Sequence, residues 1–236
     1  MIATTIDKDV ARSSKLAYLS MVDIFQDLDE PEMKDVETSA PMFTCEPGRI
    51  FYHADDPAEV LFVLKEGEVI LSRVNEDGKR LITATLEAGT IFGEMPILGQ
   101  RLQNSQAEAL TECLICSLSR RDVISLINKY PVVAVRFAEV LSMRLESAEE
   151  RLEEMAFNGL RERLASLLLR LADETDWRGN LMIKGLTHQH LAEILGSYRE
   201  TITATLNEFK ADGLVETGRK KIVITDVDGL RALVRV

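Results

Sequence analysis

The sequence contains few of the residues that build covalent or metal-based frameworks. Only three of its 236 residues are cysteines, too few for a network of disulfides, and none of them precedes Cys45. Cys113 and Cys116 form a CxxC pair, but they lie in the apolar run ECLICSLS, which is typical of a strand. Because residues three apart point to opposite faces of a strand, we predict buried structural thiols here rather than redox or metal chemistry.

Long apolar runs are also missing. No stretch approaches the roughly 18 consecutive apolar residues that a membrane-spanning helix needs, and the N-terminal residues MIATTIDKDVARSSK lack the apolar core of a signal peptide. Hydrophobic residues nevertheless make up 46% of the chain, enough for the buried cores of two domains. We therefore expect a cytoplasmic protein with no membrane partner.

The chain has no overall excess of basic residues, since its net charge is -11. The charge is unevenly distributed: residues 158–236 hold 12 basic and 11 acidic side chains, which leaves 16 basic and 28 acidic ones before them. The acidity therefore belongs to the N-terminal part. The C-terminal part can meet phosphate through a local basic cluster, Arg219, Lys220 and Lys221.

The most informative stretch is LTHQHLAEILGSYRETITATLNEFKADGL, residues 186–214. Thr187 is a suitable N-cap for a first helix, and Gly196 stands where a helix needs a residue that tolerates positive φ. Ser197 and Glu200 have the spacing of a capping box that opens a second helix. Two helices joined by so tight a turn form a helix-turn-helix, the motif that reads DNA.

The second predicted helix has an apolar and a polar face. Ile202, Leu206 and Phe209 recur at helical spacing and should pack against the first helix, which leaves the polar face outward. An arginine there can donate two hydrogen bonds to guanine, and a glutamate can accept one from cytosine. The alternative is that Arg199 is a solvated surface residue and that Glu200 serves only as a helix cap. The predicted contacts with double-stranded DNA are Arg199, Glu200, Thr203, Asn207, Thr187, Gln189, Ser197, Lys220 and Lys221.

From about Met42 the pattern changes to short apolar runs separated by turns: RIFYH, EVLFVLKEGEVILSRV, KRLITATLEAG and ECLICSL. Their spacing, with the EDG turn after Val74, predicts an antiparallel barrel or jelly roll. The predicted fold class is α+β, with a β jelly roll in residues 1–130, a long helix in 131–157 and a winged helix-turn-helix in 158–236. Asn158 and Gly159 are the predicted hinge, and VETGRKKIVITD is the predicted wing hairpin.

The segment GTIFGE, residues 89–94, joins two predicted strands and leads into MPILGQ, a predicted short helix. Its glycines allow the backbone to approach a ligand closely. Amide groups at the helix N-terminus, together with Glu94 as an acceptor, can hold an anionic small molecule that carries hydroxyl groups. The alternative is an ordinary corner of the barrel.

The predicted long helix carries an apolar seam with alternating steps of three and four residues, which is the a/d pattern of a coiled coil. The seam consists of Ala138, Leu141, Leu145, Ala148, Leu152 and Met155. Arg144 at a g position and Glu149 at the following e position suit a parallel pair of helices. We therefore predict a homodimer. The alternative is that the seam packs against the chain's own barrel.

A barrel of this kind can also belong to a cupin-like metalloenzyme, which needs a cluster of histidines with a carboxylate. His53 is the only histidine in the predicted barrel, because His188 and His190 lie in the helix-turn-helix. We therefore expect neither an enzyme nor a metal or cofactor site.

The order of these parts resembles the CRP/FNR family of bacterial transcription regulators from about Phe25 to Leu233. The most specific matches are FGEM at residues 92–95 and SYRET at residues 197–201. The resemblance implies a sensor domain like the cyclic nucleotide-binding domains, a homodimer that binds a palindromic operator, and contact with RNA polymerase. Arg199 and Glu200 match the base-reading pair of the family, whereas Ala204 stands where the cyclic-AMP receptors have a second arginine.

The resemblance also implies an effector pocket, formed by Gly93, Glu94, Met95, Arg101, Asn104, Ser105 and Arg144. Glu94 matches the ribose-binding glutamate of the family. Residues 102–105 read Leu-Gln-Asn-Ser where cyclic-AMP-binding members have an Arg-Ser or Arg-Thr pair, and Ala148 and Glu149 replace the hydroxyls that hold adenine. We therefore expect a small-molecule or redox signal other than cyclic AMP, with a cyclic-nucleotide-responsive regulator as the alternative. An FNR-type iron-sulfur cluster is excluded, since it needs N-terminal cysteines.

Overall fold

The computed structural model describes Leu19 and residues 22–53, 59–93 and 105–234. The chain divides into two compact units, each of which has its own core. The first unit comprises Met1–Asp77 and Thr83–Leu145, and the second comprises Gly78–Ile82 and Glu146–Val236. The units are described separately below.

The first unit is built mainly of strands with helices at both ends. In its described part, a short 3-10 turn, Asp23–Phe25, precedes helix α1, Glu30–Ser39. Eight strands follow: β1 Met42–Cys45, β2 Ile50–Tyr52, β3 Val60–Glu66, β4 Val69–Val74, β5 Arg80–Leu86, β6 Ile91–Phe92, β7 Ser105–Ala109 and β8 Cys113–Ser119. Helix α2, Arg120–Lys129, and the long helix α3, Pro131–Phe157, come next. The part of α3 after Leu145 and the first three residues of β5 belong to the second unit.

The eight strands form two four-stranded sheets, in the orders β1-β8-β3-β6 and β2-β7-β4-β5. Strand β8 lies between β1 and β3 and pairs antiparallel with both, although both precede it in the sequence. Such long connections between antiparallel neighbours are those of a jelly roll. The α+β fold predicted from the sequence, with its N-terminal antiparallel domain, is confirmed.

Strand β3 separates two layers of core. Phe62 and Leu64 point into the space between the sheets, whereas Leu61 and Val63 belong to a second cluster on the outer face. That outer face is covered by helices, including Val133 and other residues of α3. Because β3 is buried on both faces, its sequence VLFVL is continuously apolar instead of alternating.

The second unit contains the C-terminal elements. They are α4 Leu160–Leu171, β9 Glu174–Thr175, β10 Leu181–Lys184, α5 His188–Leu195, α6 Arg199–Ala211, β11 Val215–Gly218, β12 Lys221–Ile224 and α7 Val227–Leu233. The strands form one sheet in the order β11-β12-β10-β9. The predicted helix-turn-helix and its wing hairpin, β11–β12, are therefore present. The break between α3 and α4 falls at Asn158 and Gly159, the predicted hinge position.

Two helices were not predicted from the sequence, α2 and α7. Each begins at a side-chain cap: Ser119 and Asp122 form a capping box for α2, and the Asp226 carboxylate accepts a hydrogen bond from the Gly229 amide at 2.8 Å in α7. Ser119 is the last residue of β8 and Asp226 follows β12 after one residue, so each helix begins without a long separating loop. Among the helices that the structure describes, none is long and apolar enough to cross a membrane.

Candidate nucleic-acid interface and sensor corner

The turn between α5 and α6 is tight because Gly196 has a left-handed backbone, with φ 62° and ψ 31°. The amides of Gly196 and Ser197 both donate to the Ala192 carbonyl, which ends α5. The Arg163 guanidinium, from α4, donates to the Leu195 carbonyl at 3.3 Å. These bonds satisfy carbonyls that the end of a helix leaves without partners, and they fix the angle at which α6 leaves the turn.

Of the two helix N-caps predicted for this motif, one is confirmed and the other is wrong. Thr187 caps α5, since its hydroxyl accepts a hydrogen bond from the His190 amide at 3.1 Å. The capping box predicted from Ser197 and Glu200 is wrong: α6 is capped at Tyr198 without a side-chain bond. Because the helix begins one residue later than predicted, Ser197 lies outside it and Glu200 occupies its second position instead of its third. Glu200 is therefore not engaged in the cap.

Helix α6 has the two faces that the sequence predicts. Ile202, Leu206 and Phe209 are fully buried in the core of the second unit. Arg199, Glu200 and Asn207 are exposed, and Thr203 is half-buried. The helix thus presents an arginine and a glutamate at its N-terminal end, on the side opposite a fixed apolar face.

A salt-bridge cluster secures the C-terminal half of α6 to α4. The Arg161 guanidinium lies 3.0 Å from Glu208 and 2.5 Å from Asp212, and its centre is 4.9 Å from the centroid of the Phe209 ring. The charge is therefore paired with two carboxylates and rests on an aromatic face. Sequence reasoning missed this contact because 47 and 51 residues separate the partners.

Two hydrogen bonds engage Thr203, one of the predicted DNA contacts. Its hydroxyl donates to the Arg199 carbonyl at 2.8 Å and lies 2.9 Å from Nδ1 of His188, the first residue of α5. His188 was not among the predicted functional residues. In the same helix, burial lowers the pKa of His190, which disfavours a positive charge on this second histidine.

The other predicted DNA-contacting side chains differ in exposure and in the interactions that they make within the protein. The Gln189 amide donates to the Glu193 carboxylate at 2.9 Å, so it must exchange that partner to meet DNA. In the wing turn, Lys220 is exposed, whereas Lys221 is half-buried and interacts electrostatically with Asp176. Lys220 has φ 51° and is the one non-glycine residue with a positive φ in the described part of the chain. Lys220 is thus the better placed of the two lysines for phosphate.

The sensor corner is described only in part. Glu94, Met95, Arg101 and Asn104 lie outside the described residues, as does the predicted short helix MPILGQ. Gly93 is described: its φ is 82°, and a Cβ atom there would overlap the Val60 carbonyl oxygen. The glycine therefore permits a close approach between two parts of the barrel itself, which is the packing expected of a barrel corner.

Replacing Gly93 with alanine should destabilise the sensor domain more than replacing Gly48 does. Both have φ 82°, so both substitutions carry the left-handed backbone cost of about 1–2 kcal/mol. Only at Gly93 does the added methyl meet backbone, because nothing lies within 4 Å of a Cβ at Gly48. We expect an additional loss of about 1–3 kcal/mol in the free energy of unfolding, measured by urea titration. Equal losses would show that Gly93 has room for a side chain and would contradict the packing role.

The structure brings Arg144 to this corner and places Ser105 in the facing sheet. The Arg144 guanidinium donates a hydrogen bond to the carbonyl of Ile91, two residues before Gly93. Ser105 begins β7 in the other sheet, opposite Arg73. This hydrogen bond links α3 to strand β6, which directly precedes Gly93.

The cysteines have the burial predicted for structural thiols. Cys113 lies in the core between the sheets, and Cys116 lies in the outer cluster beneath the helices, so the two point to opposite faces of β8. Cys45 is directly opposite Cys113 in the β1–β8 pair. Burial, followed by the neighbouring Cys113, raises the pKa of Cys45 to about 11. A thiol with so high a pKa is almost entirely protonated at neutral pH and is a poor nucleophile.

The seam of α3 is open to solvent on the single chain. Val133, Phe137 and Val140 are the residues of this helix buried against the barrel, and they lie off the seam. Leu145, Leu152 and Met155 are 61%, 67% and 60% exposed. Ala138 and Ala148 are exposed as well, and Leu141 is half-buried. Within the first unit, the barrel therefore leaves Leu145 exposed.

Comparisons with known proteins match both units. The family model described as the cyclic nucleotide-binding domain matches residues 42–130, and that of the Crp-like helix-turn-helix domain matches residues 162–233. The Cyclic AMP receptor protein of Thermus thermophilus is 30% identical over 171 residues, which is 72% of this chain and 77% of that protein. The Transcriptional regulator SdrP of the same organism is 32% identical over 180 residues, 75% of this chain and 85% of that protein.

The fold is also that of a solved relative. The crystal structure of a transcriptional regulator of the CRP/FNR family from Eubacterium rectale superposes with a TM-score of 0.77 at 22% identity, covering 91% of this chain and 98% of that one. Together with the sequence relatives and the two domain matches, this agreement shows that the chain belongs to the CRP/FNR family of transcription regulators.

Proposed function

We propose that the protein is a homodimer that binds a palindromic DNA site through its two α6 helices and regulates transcription by contact with RNA polymerase. The observation that carries the proposal is the position of Arg199 and Glu200, exposed at the start of a helix whose opposite face is fully buried. A rigid helix with base-reading side chains at its N-terminal end is suited to the major groove.

The dimer is proposed from the exposed seam of α3. Three large apolar side chains that are 60–67% exposed on one stripe would remain in water on an isolated chain. Pairing the seam with a second copy removes this apolar surface from water, and a parallel pair closes with twofold symmetry. The same symmetry places the two α6 helices to read inverted half-sites, about one turn of B-DNA apart.

A salt titration of DNA binding tests the proposal. Purified protein should bind a DNA site selected from a random library, and the logarithm of the binding constant should fall linearly with the logarithm of salt concentration. With a net charge of -11, the chain has no general attraction for DNA, so the slope reports a local set of phosphate contacts. Failure to enrich any sequence from the library at low salt would contradict the proposal.

The effector is proposed to be a small molecule or redox signal other than cyclic AMP. Residues 102–105, Leu-Gln-Asn-Ser, contain no arginine for a cyclic phosphate. An unpaired phosphate charge in a partly dry pocket costs on the order of several kcal/mol. A cyclic-nucleotide-responsive regulator remains the second candidate, because the cyclic nucleotide-binding family model matches residues 42–130 and one relative is named as a cyclic AMP receptor.

Titration calorimetry with cyclic AMP separates these two candidates. We expect no binding in the low micromolar range for the wild-type protein. The variant Asn104→Arg restores the Arg-Ser pair with Ser105, and it should bind cyclic AMP more tightly than the wild type because it supplies the missing cation. A low micromolar dissociation constant for the wild type would establish cyclic AMP as a ligand and would point to Arg101 as its phosphate partner.

A further inference from the structure

We propose that Thr203 recognises a thymine through its γ-methyl group and that His188 is the positioning residue that fixes this mode of reading. The inference rests on the proposed function, since it assumes that α6 enters the major groove. It adds the chemical class of one contact: an apolar contact with a thymine methyl, in place of a hydrogen bond to a base.

Thr203 lies on the outward side of α6. It is four residues after Arg199 and four before Asn207, so the three share one stripe of the helix. The opposite side is defined by Ile202, Leu206 and Phe209, all fully buried. Thr203 is half-buried because His188, at the start of α5, lies against it. Its side chain is therefore held at the edge of the candidate reading face.

The hydroxyl of Thr203 has one proton and two partners within the protein. It lies 2.8 Å from the Arg199 carbonyl and 2.9 Å from the His188 Nδ1. Either it donates to the carbonyl and accepts from an Nδ1–H group, or it donates to an unprotonated Nδ1. In both arrangements the proton stays inside the motif. Thr203 then has no proton to donate to the acceptors of guanine or to thymine O4.

The γ-methyl is the group with which Thr203 can select thymine, because its hydroxyl can then only accept a hydrogen bond, from the amino group of adenine or cytosine. A threonine methyl makes an apolar contact with the 5-methyl of thymine, the one apolar group in the major groove. The next residue, Ala204, is exposed and also carries only a methyl. Two neighbouring apolar groups after the Arg199–Glu200 pair favour an A·T pair beside the G·C pair that Arg199 reads.

Deoxyuridine tests the contact directly, because it differs from thymidine only by the absent 5-methyl. A site is first selected from a random library, and each thymine is then replaced singly by uracil in both half-sites. Wild-type protein should lose about fourfold in affinity per half-site at one position, the effect of one methyl group removed from water. At other positions the two bases should bind alike.

Two variants of Thr203 assign the effect to its methyl group. Thr203→Ser keeps the hydroxyl and loses the methyl, so it should bind the thymine and uracil sites equally. Thr203→Val keeps a methyl and loses the hydroxyl, so it should still prefer thymine. The opposite pattern, discrimination kept by serine and lost by valine, would show that the hydroxyl reads the base and would overturn the proposal.

His188 is tested by rescue. His188→Ala should reduce the preference for thymine over uracil without changing the slope of affinity against salt, because the threonine rotamer is released while phosphate contacts remain. His188→Asn offers a hydrogen-bonding group near the position of Nδ1 and should restore the preference. If His188→Ala keeps the full preference, His188 does not position Thr203.

The outcomes distinguish this inference from the proposed function. A wild-type protein that enriches a defined site but binds thymine and uracil alike at every position would refute the methyl contact and leave the DNA-binding function intact. A wild-type protein that enriches no site would refute both.

Discussion

Replacing Leu145 with glutamate is expected to convert the dimer into monomers and to weaken binding to a palindromic site by about 10²–10⁴-fold. Leu145 is at an a position of the α3 seam and is 61% exposed on the single chain. In the dimer the substitution would bury an unpaired carboxylate at two symmetry-related positions. A monomer holds one half-site at a time and loses the gain in effective concentration that the second provides.

Sedimentation equilibrium at micromolar concentration measures the first effect, and a gel shift measures the second. Met143→Glu is the matched control: Met143 is 54% exposed on the same helix but lies at the f position, opposite the seam. That variant should remain dimeric and bind DNA as the wild type does. A Leu145→Glu protein that stays fully dimeric would show that the interface lies elsewhere.

Replacing Arg199 with alanine should cost about 1–3 kcal/mol per half-site and remove the preference at one G·C pair. Over two half-sites, this corresponds to a loss of about 30-fold to more than 10⁴-fold in affinity for the selected site. The exposed guanidinium at the N-terminal end of α6 can donate two hydrogen bonds to one guanine, and alanine can donate none. Competition gel shifts against a panel of single-base variants of the site give both quantities.

Lys220→Ala is the matched comparison for Arg199→Ala. Lys220 is exposed in the wing turn, and we expect it to contact backbone phosphate. Its loss should weaken binding to all sequences alike and reduce the salt slope by about one unit per contact. If the Arg199 variant keeps the wild-type base preference at every position, α6 does not read the bases.

Local signals in the sequence were sufficient for the parts of the fold governed by neighbouring residues. Thr187 as a cap, Gly196 in the left-handed region and the apolar face of α6 could all be predicted. Each depends on interactions within a few residues, which spacing alone reveals. The apolar stripe of α3 could be recognised for the same reason, whereas its exposure depends on tertiary packing.

Contacts between distant residues could not be predicted in this way. The His188–Thr203 hydrogen bond joins residues 15 apart on two helices, and it depends on the angle of the turn between them. The capping box at Ser197 failed by one residue, since several positions in that turn carry polar side chains and only tertiary packing selects the helix start. The role of Gly93 against Val60 likewise depends on the pairing of β3 and β6.

At Lys220, the stability of the wing turn and its affinity for DNA favour different residues, because the backbone is left-handed there. A glycine at φ 51° would relieve about 1 kcal/mol of backbone strain, and it would remove a cation from the tip of the turn. A library screened only for survival of heating should therefore enrich glycine at this position. The same library screened for occupancy of DNA should retain lysine, so a thermostabilised form obtained by the first route would bind every DNA sequence more weakly.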